Sequence, residues 1–153
     1  MKDEQPFELQ SIGRKPFNYK MTIEETMCAS VRAVKLWNDL GIDVLSNQTY
    51  NFVVPENESW VDWHIRCGAD RYVSSAFIRP WEGLRRVPDA NWFKLIGTVG
   101  EFAKPPIVVG SKLIDFSPPF PGRLYFFAND LLWNWNNKGC ISVRVMRTRL
   151  ACV

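Results

Sequence analysis

The sequence predicts an all-β protein, an antiparallel β-sandwich of jelly-roll type, on three observations. Short runs of alternating or β-branched apolar residues recur along most of the chain. Turn-forming residues punctuate them, with 9 Gly and 10 Pro among 153 residues. No segment carries the sustained 3.6-residue apolar period of a long amphipathic helix. A chain of this length is the size of one domain and can bury a core without disulfides or metal. A single sandwich domain is therefore expected over 21–153. Residues 1–20 are polar, hold two prolines and show no sustained period, so they are expected to form an extended arm.

The elements follow in chain order. Residues 30–37 alternate and fit a strand; Asn38, Asp39 and Gly41 then mark a turn, 42–45 a short strand and 46–48 another turn. Residues 50–54 form a strand ended by Pro55. Between Glu56 and Asp89 the alternation breaks down amid three Trp and several Arg, which predicts a long connection with a function of its own. Strands resume at 92–97, 107–110, 112–116, 123–129 and 140–147. The proline-rich stretch 117–122 cannot donate its share of ladder hydrogen bonds and reads as a crossing between sheets.

Composition narrows the function classes. Lys and Arg total 19 against 16 Asp and Glu, a net charge of +3 with the basic residues scattered, so no nucleic-acid footprint is expected. No run of 18 uncharged apolar residues occurs, which argues against a membrane span. The opening MKDEQPFELQ lacks the apolar core of a signal peptide, so the expected location is cytoplasmic, or outside by a route without a cleaved signal. Cys28, Cys67, Cys140 and Cys152 show no C-x-x-C spacing and only His64 accompanies them, which favours reduced structural thiols over a zinc site. His64 with Asp62 and Cys67 is a conceivable nucleophile group, but their spacing in an irregular loop gives no assurance of convergence. No serine elbow or phosphate-cradling glycine motif is present, and the expectation is a protein that is not an enzyme.

The densest chemistry lies in Asn129-Asp130-Leu131-Leu132-Trp133-Asn134-Trp135-Asn136-Asn137-Lys138-Gly139, read as a hairpin loop at one end of the sandwich. Calcium takes six to eight oxygens at about 2.3 to 2.6 Å from carboxylates, amide side chains and backbone carbonyls. Asp130, Asn134, Asn136 and Asn137 could supply half or more of them. The same residues are ordinary turn formers that bond their own backbone, so the run needs no metal. Trp37, Trp60 and Trp92, in or beside strands, are expected in the core, whereas Trp133 and Trp135 sit in a polar loop and are free to meet a ligand.

Tyr125, the pair Asn129-Asp130, a short loop, Asn136-Asn137, Gly139 and Ile141-Ser142-Val143 together resemble the terminal hairpin of the PA-IL-like lectins. These are calcium-dependent galactose-binding proteins with a jelly-roll sandwich of the galactose-binding-like type. Upstream, Trp37 to Val44, Tyr50-Asn51-Phe52, Ser59 to Trp63 and Leu95-Ile96-Gly97 fall in the order such a domain has, so the similarity spans about 30–147. The resemblance implies calcium held by the side chains of Asp130, Asn136 and Asn137 and by the carbonyls of Asn134 and Trp63. It also implies a galactose-like hexose or glycan bound at Asp130, Trp133, Trp135 and His64, and a homo-oligomer. This chain departs from the pattern in carrying Leu131, Leu132, Trp133 and Trp135 where small turn residues are usual. The alternative is a sandwich used for protein interaction or assembly, without a functional metal or sugar site, in which the Trp- and Arg-bearing stretch 78–88 serves as the contact.

Overall fold

The structure, a computed structural model, describes residues 21, 25–70, 77–101 and 105–148. The arm expected over 1–20 and Cys152 lie outside the described residues. Within them run ten strands: β1 (Thr26–Arg32), β2 (Asn38–Val44), β3 (Thr49–Val53), β4 (Trp60–Asp62), β5 (Ile65–Cys67), β6 (Leu95–Val99), β7 (Ile107–Val108), β8 (Lys112–Phe116), β9 (Gly122–Ala128) and β10 (Asn137–Thr148). The described helix is a short 3₁₀ turn, Arg79–Leu84, started by Pro80 and ended before Arg85. None of the described helices is long and apolar enough to cross a membrane.

Two antiparallel sheets face each other. One holds β5, β4, β10, β3 and β8 in that order, with β1 also paired to β10; the other runs β2, β9, β6, β7. Period-two alternation assigns their inner faces: Ile141, Val143 and Val145 of β10 point inward beside Val31 and Phe52, and Leu124 and Phe126 of β9 oppose them. Phe52 meets Phe126 edge-to-face at 5.4 Å between ring centroids, joining the two sheets at mid-core. Trp60 is fully buried against Phe93 at 5.7 Å, and its indole N–H donates to the Gly68 carbonyl. Trp92 is buried as the sequence predicts, while Trp37 packs on the outer face of the four-stranded sheet against Phe127.

β6 is buried on both faces, because Leu95 points into the sandwich while Ile96 packs outward with Phe127, Val87 and Ala90 beneath the segment that follows the 3₁₀ turn. Gly97 sits where a Cβ would come within 2.7 Å of the Phe126 ring. Gly97→Ala must displace that ring, and a urea titration is expected to show a loss of ~1–3 kcal/mol.

Several expected boundaries move. The strand expected over 30–37 ends at Arg32, since the Lys35 amide turns back to the Arg32 carbonyl and Asn38 caps the bend, its Oδ1 accepting from the Arg32 amide. The expected turn at Asn38, Asp39 and Gly41 is a bulge inside β2: the register against β9 shifts between Asp39 and Asp43, Gly41 takes a φ of +70°, and its amide donates to Asp39 Oδ1. The long connection over 56–89 contains a tight hairpin, β4 to β5, with Asp62 opposite Ile65. The crossing expected at 117–122 is borne out, because β8 and β9 lie in different sheets.

The largest correction concerns 129–136. β9 pairs with β2 and β6, whereas β10 pairs with β1, β3 and β4, so the segment between them is a bridge from one sheet to the other and not a hairpin loop. It closes the end of the sandwich where β1, β4 and β9 finish and β2, β5 and β10 begin.

Candidate functional site

The bridge starts from a fixed point. Asn129 is fully buried at the end of β9; its Oδ1 accepts from the Val87 amide, and its Nδ2 donates to the carbonyls of Val87, Ala90 and Asn91 at 2.9–3.0 Å. The Arg86 amide donates to the Asp130 carbonyl at 3.0 Å. The bridge is thus tied to the segment below it before the first candidate ligand is reached.

Asp130 and Asn137 then face each other under the bridge, both buried. Asn137 Nδ2 donates to Asp130 Oδ2 at 2.9 Å and to the Ala33 carbonyl at 3.3 Å. Its other side-chain atom, Asn137 Oδ1, is buried and has no hydrogen-bond partner among the described residues. Leaving a buried carbonyl oxygen unmatched costs about 1–3 kcal/mol, so Asn137 Oδ1 is the atom of the pair open to a further partner, a donor or a cation. Burial pushes the Asp130 carboxyl up to about 6, with the Asp62 charge adding to the rise, against the opposing hydrogen bonds from Asn137 and the Leu131 amide and the charge of Arg86.

Asp62 belongs to the same cluster. It ends β4 directly opposite Asn137 of β10, and its Oδ1 accepts from Asn136 Nδ2 at 3.0 Å. Sequence reasoning set Asp62 beside His64 and Cys67 and passed over it as a ligand. The usable signal was period two: Trp60 points into the core, so Asp62, two residues on, points the same way at the mouth of the sandwich. Asn134 is spent differently, its Nδ2 donating to the Val34 carbonyl at 2.7 Å and its own carbonyl accepting from the Asn137 amide at 3.0 Å. A carbonyl oxygen has two lone pairs, so the Asn134 oxygen keeps capacity for a second partner.

Trp63 and His64 form the two-residue turn of the β4–β5 hairpin. Trp63 adopts a φ of +51°, which Asn or Gly ordinarily supplies in such a turn. A bulky residue there costs about 1–2 kcal/mol, and the result is an indole held out into solvent with its edge against the His64 ring, 4.1 Å between centroids. Trp133 and Trp135 stand out likewise, at 72% and 84% exposure, beside Leu132 at 63% and Trp63 at 70%. The structure therefore gathers Asp130, Asn136 and Asn137 with Asp62, places Trp63 and His64 next to them, and holds Asn134 one turn away.

The nucleophile group considered from sequence does not form an activated thiolate. Cys67 is buried, and desolvation first and the Asp62 charge second push its thiol up to about 12, against a weaker opposing hydrogen bond from Trp60. On the other side of the bridge, the Arg86 guanidinium lies over Phe127 at 3.4 Å and Trp37 at 4.3 Å and donates to the Leu36 carbonyl. Burial lowers it to about 10, partly offset by Asp130.

No protein-family model matches the chain, and no curated protein matches it. Among solved structures, the N-terminal domain of EclA, described as a PllA-like lectin, is similar over 78% of this chain and 94% of that chain, with a TM-score of 0.58 at 16% identity. A likeness at that identity shows a shared sandwich fold, and the fold implied by the motifs around Asn129, Asp130 and Asn137 is the one found.

Proposed function

We propose, from a fold shared with a PllA-like lectin domain, that this protein is a non-catalytic carbohydrate-binding module whose site is the bridge end of the sandwich, assisted by calcium. The observation that carries the reading is the buried Asp130–Asn137 pair with Asn137 Oδ1 unmatched, ringed by the exposed indoles of Trp63, Trp133 and Trp135. The donor set fits a hard cation: two carboxylates, Asp62 and Asp130, whose mutual repulsion a cation would relieve, and the amide oxygens of Asn136 and Asn137. The Asn134 carbonyl and that of Trp63 are further donors. Calcium bound there would offer open positions to two vicinal hydroxyls of a hexose.

The chain's own residues supply the remainder. Asp130 and the asparagines accept and donate to hydroxyl groups, and an indole of Trp133, Trp135 or Trp63 covers the apolar C–H face of the ring. His64, held against Trp63, reaches the same rim. A glycan array read in calcium is expected to show binding to galactose-like termini that chelator removes. Trp133→Ala and Trp135→Ala, at exposed positions, are expected to lower affinity by about tenfold each, the worth of a stacked ring at ~1 kcal/mol or somewhat more, with no change in melting temperature. A blank array would move the assignment to a protein-interaction module.

A further inference from the structure

We propose that the same end of the sandwich docks on an anionic lipid bilayer, seating the tip of the bridge at headgroup depth. This goes beyond the carbohydrate reading and does not require it. Three loops meet there: 33–37 between β1 and β2, the Trp63–His64 turn, and the bridge, joined through Asn134 to the Val34 carbonyl, Asn137 to the Ala33 carbonyl and Asn136 to Asp62. Between them they expose Val34, Leu36, Trp63, Leu132, Trp133 and Trp135. Large apolar groups gathered on one rim mark a binding surface. A hexose ring covers one indole face, so Val34, Leu36 and Leu132 are surplus to it. Indoles beside leucines on protruding loops are the side chains that settle at a membrane interface, with the apolar body in the acyl boundary and the N–H in water.

Charge selects the occupant. The three loops and the strand residues that flank them carry Arg32, Lys35, Arg66 and Lys138, all exposed. From 33 to 37, 63 to 66 and 131 to 138 there is no Asp or Glu. The acids that flank the rim are Asp130 and Asp62, hydrogen-bonded by Asn137 and Asn136, and the exposed Asp39 two residues beyond the 33–37 loop, which pairs with Arg123. A basic rim around an apolar tip complements a leaflet rich in anionic lipid. It opposes a second copy of this chain meeting it face to face, because like charges would be brought together.

The test is co-sedimentation of the full chain with vesicles free of carbohydrate, made of phosphatidylcholine alone or mixed with phosphatidylserine, together with tryptophan emission. The mixed vesicles are expected to pull the protein down and shift its emission to the blue at low salt, with binding falling about tenfold or more at high salt, as screening requires. Leu132→Asp and Lys35→Glu, both at exposed positions, are each expected to weaken it at least about fivefold while leaving the melting temperature unchanged. No sedimentation with mixed vesicles, or equal sedimentation of wild type and both variants, overturns the proposal. So does a dimer in solution that Leu132→Asp dissociates in the absence of vesicle binding. Because the vesicles bear no sugar, a blank glycan array leaves this outcome standing, and failure here leaves the carbohydrate reading intact.

Discussion

Asp130→Asn is expected to raise the melting temperature of the metal-free protein at pH 7 while abolishing the increase that calcium gives to the wild type. The fold holds the Asp130 carboxyl at about 6, above its ordinary 3.8, mainly because it is buried. A group raised in this way favours folding fully below pH 3.8, loses that contribution as the pH rises through 6, and at pH 7 is a buried charge that opposes folding. Asparagine is neutral throughout and keeps an acceptor for Asn137 Nδ2. After discounting for solvent reaching the carboxyl, the gain at pH 7 in chelator is ~1–2 kcal/mol, or roughly 3–7 °C in a domain of this size, shrinking to nothing near pH 4. In calcium the order reverses: the wild type gains about 2–3 kcal/mol at a hundredfold excess over its Kd, and the variant, lacking the carboxylate, does not. Thermal melts at pH 4 and pH 7, each with chelator and with calcium, give all the values needed. A calcium shift of equal size in both proteins would remove Asp130 from the ligand set.

Asn129→Ala is expected to cost ~3–4 kcal/mol in a urea titration. The side chain makes four hydrogen bonds to the 87–91 segment from a fully buried position. Truncating it leaves the Val87 amide and the Ala90 carbonyl unmatched at about 1–3 kcal/mol each, and takes one of two donors from the Val87 and Asn91 carbonyls, which keep the Ala90 and Lys94 amides. Asn129→Asp conserves shape but removes both donors and is expected to cost nearly as much, with a pH dependence that the alanine variant lacks. Hydrogen exchange is expected to quicken first at Val87 and Arg86, whose amides bond Asn129 and Asp130. Uniform loosening of the whole sandwich would show that Asn129 is no local anchor.

The contrast between Asn129 and Asn137 shows what was legible in the sequence. Strands β3, β9 and β10 read correctly because each buries an alternating inner face, β8 was legible from the Gly110 and Pro118 that bound it, and the prolines at 118, 119 and 121 marked a real change of sheet. The β4–β5 hairpin was hidden for a physical reason: its strands are three residues each, and its turn uses Trp63 and His64 in place of Asn-Gly, with Trp63 forced to positive φ. A strained turn of this kind defeats local propensity. The bridge was misread as a hairpin because pairing partners are not written in local sequence: β9 and β10 flank it, yet they bond β2 and β1 instead of each other. Among the oxygen-bearing residues, Asn129 turned out structural, Asn134 a clasp to Val34, and Asp62 an unexpected neighbour of Asp130, none of which spacing alone separates.

The most direct measurement is a crystal structure of the protein grown with calcium and galactose. The account predicts a spherical density peak with oxygen neighbours at about 2.4 Å, contacting Asp130, Asn137 and Asp62, with Asn137 Oδ1 no longer unmatched and a sugar ring against one of the exposed indoles. A map in which the Asn137 amide still closes on the Asp130 carboxyl, its Oδ1 met by water and no ion between Asp130 and Asp62, would contradict it.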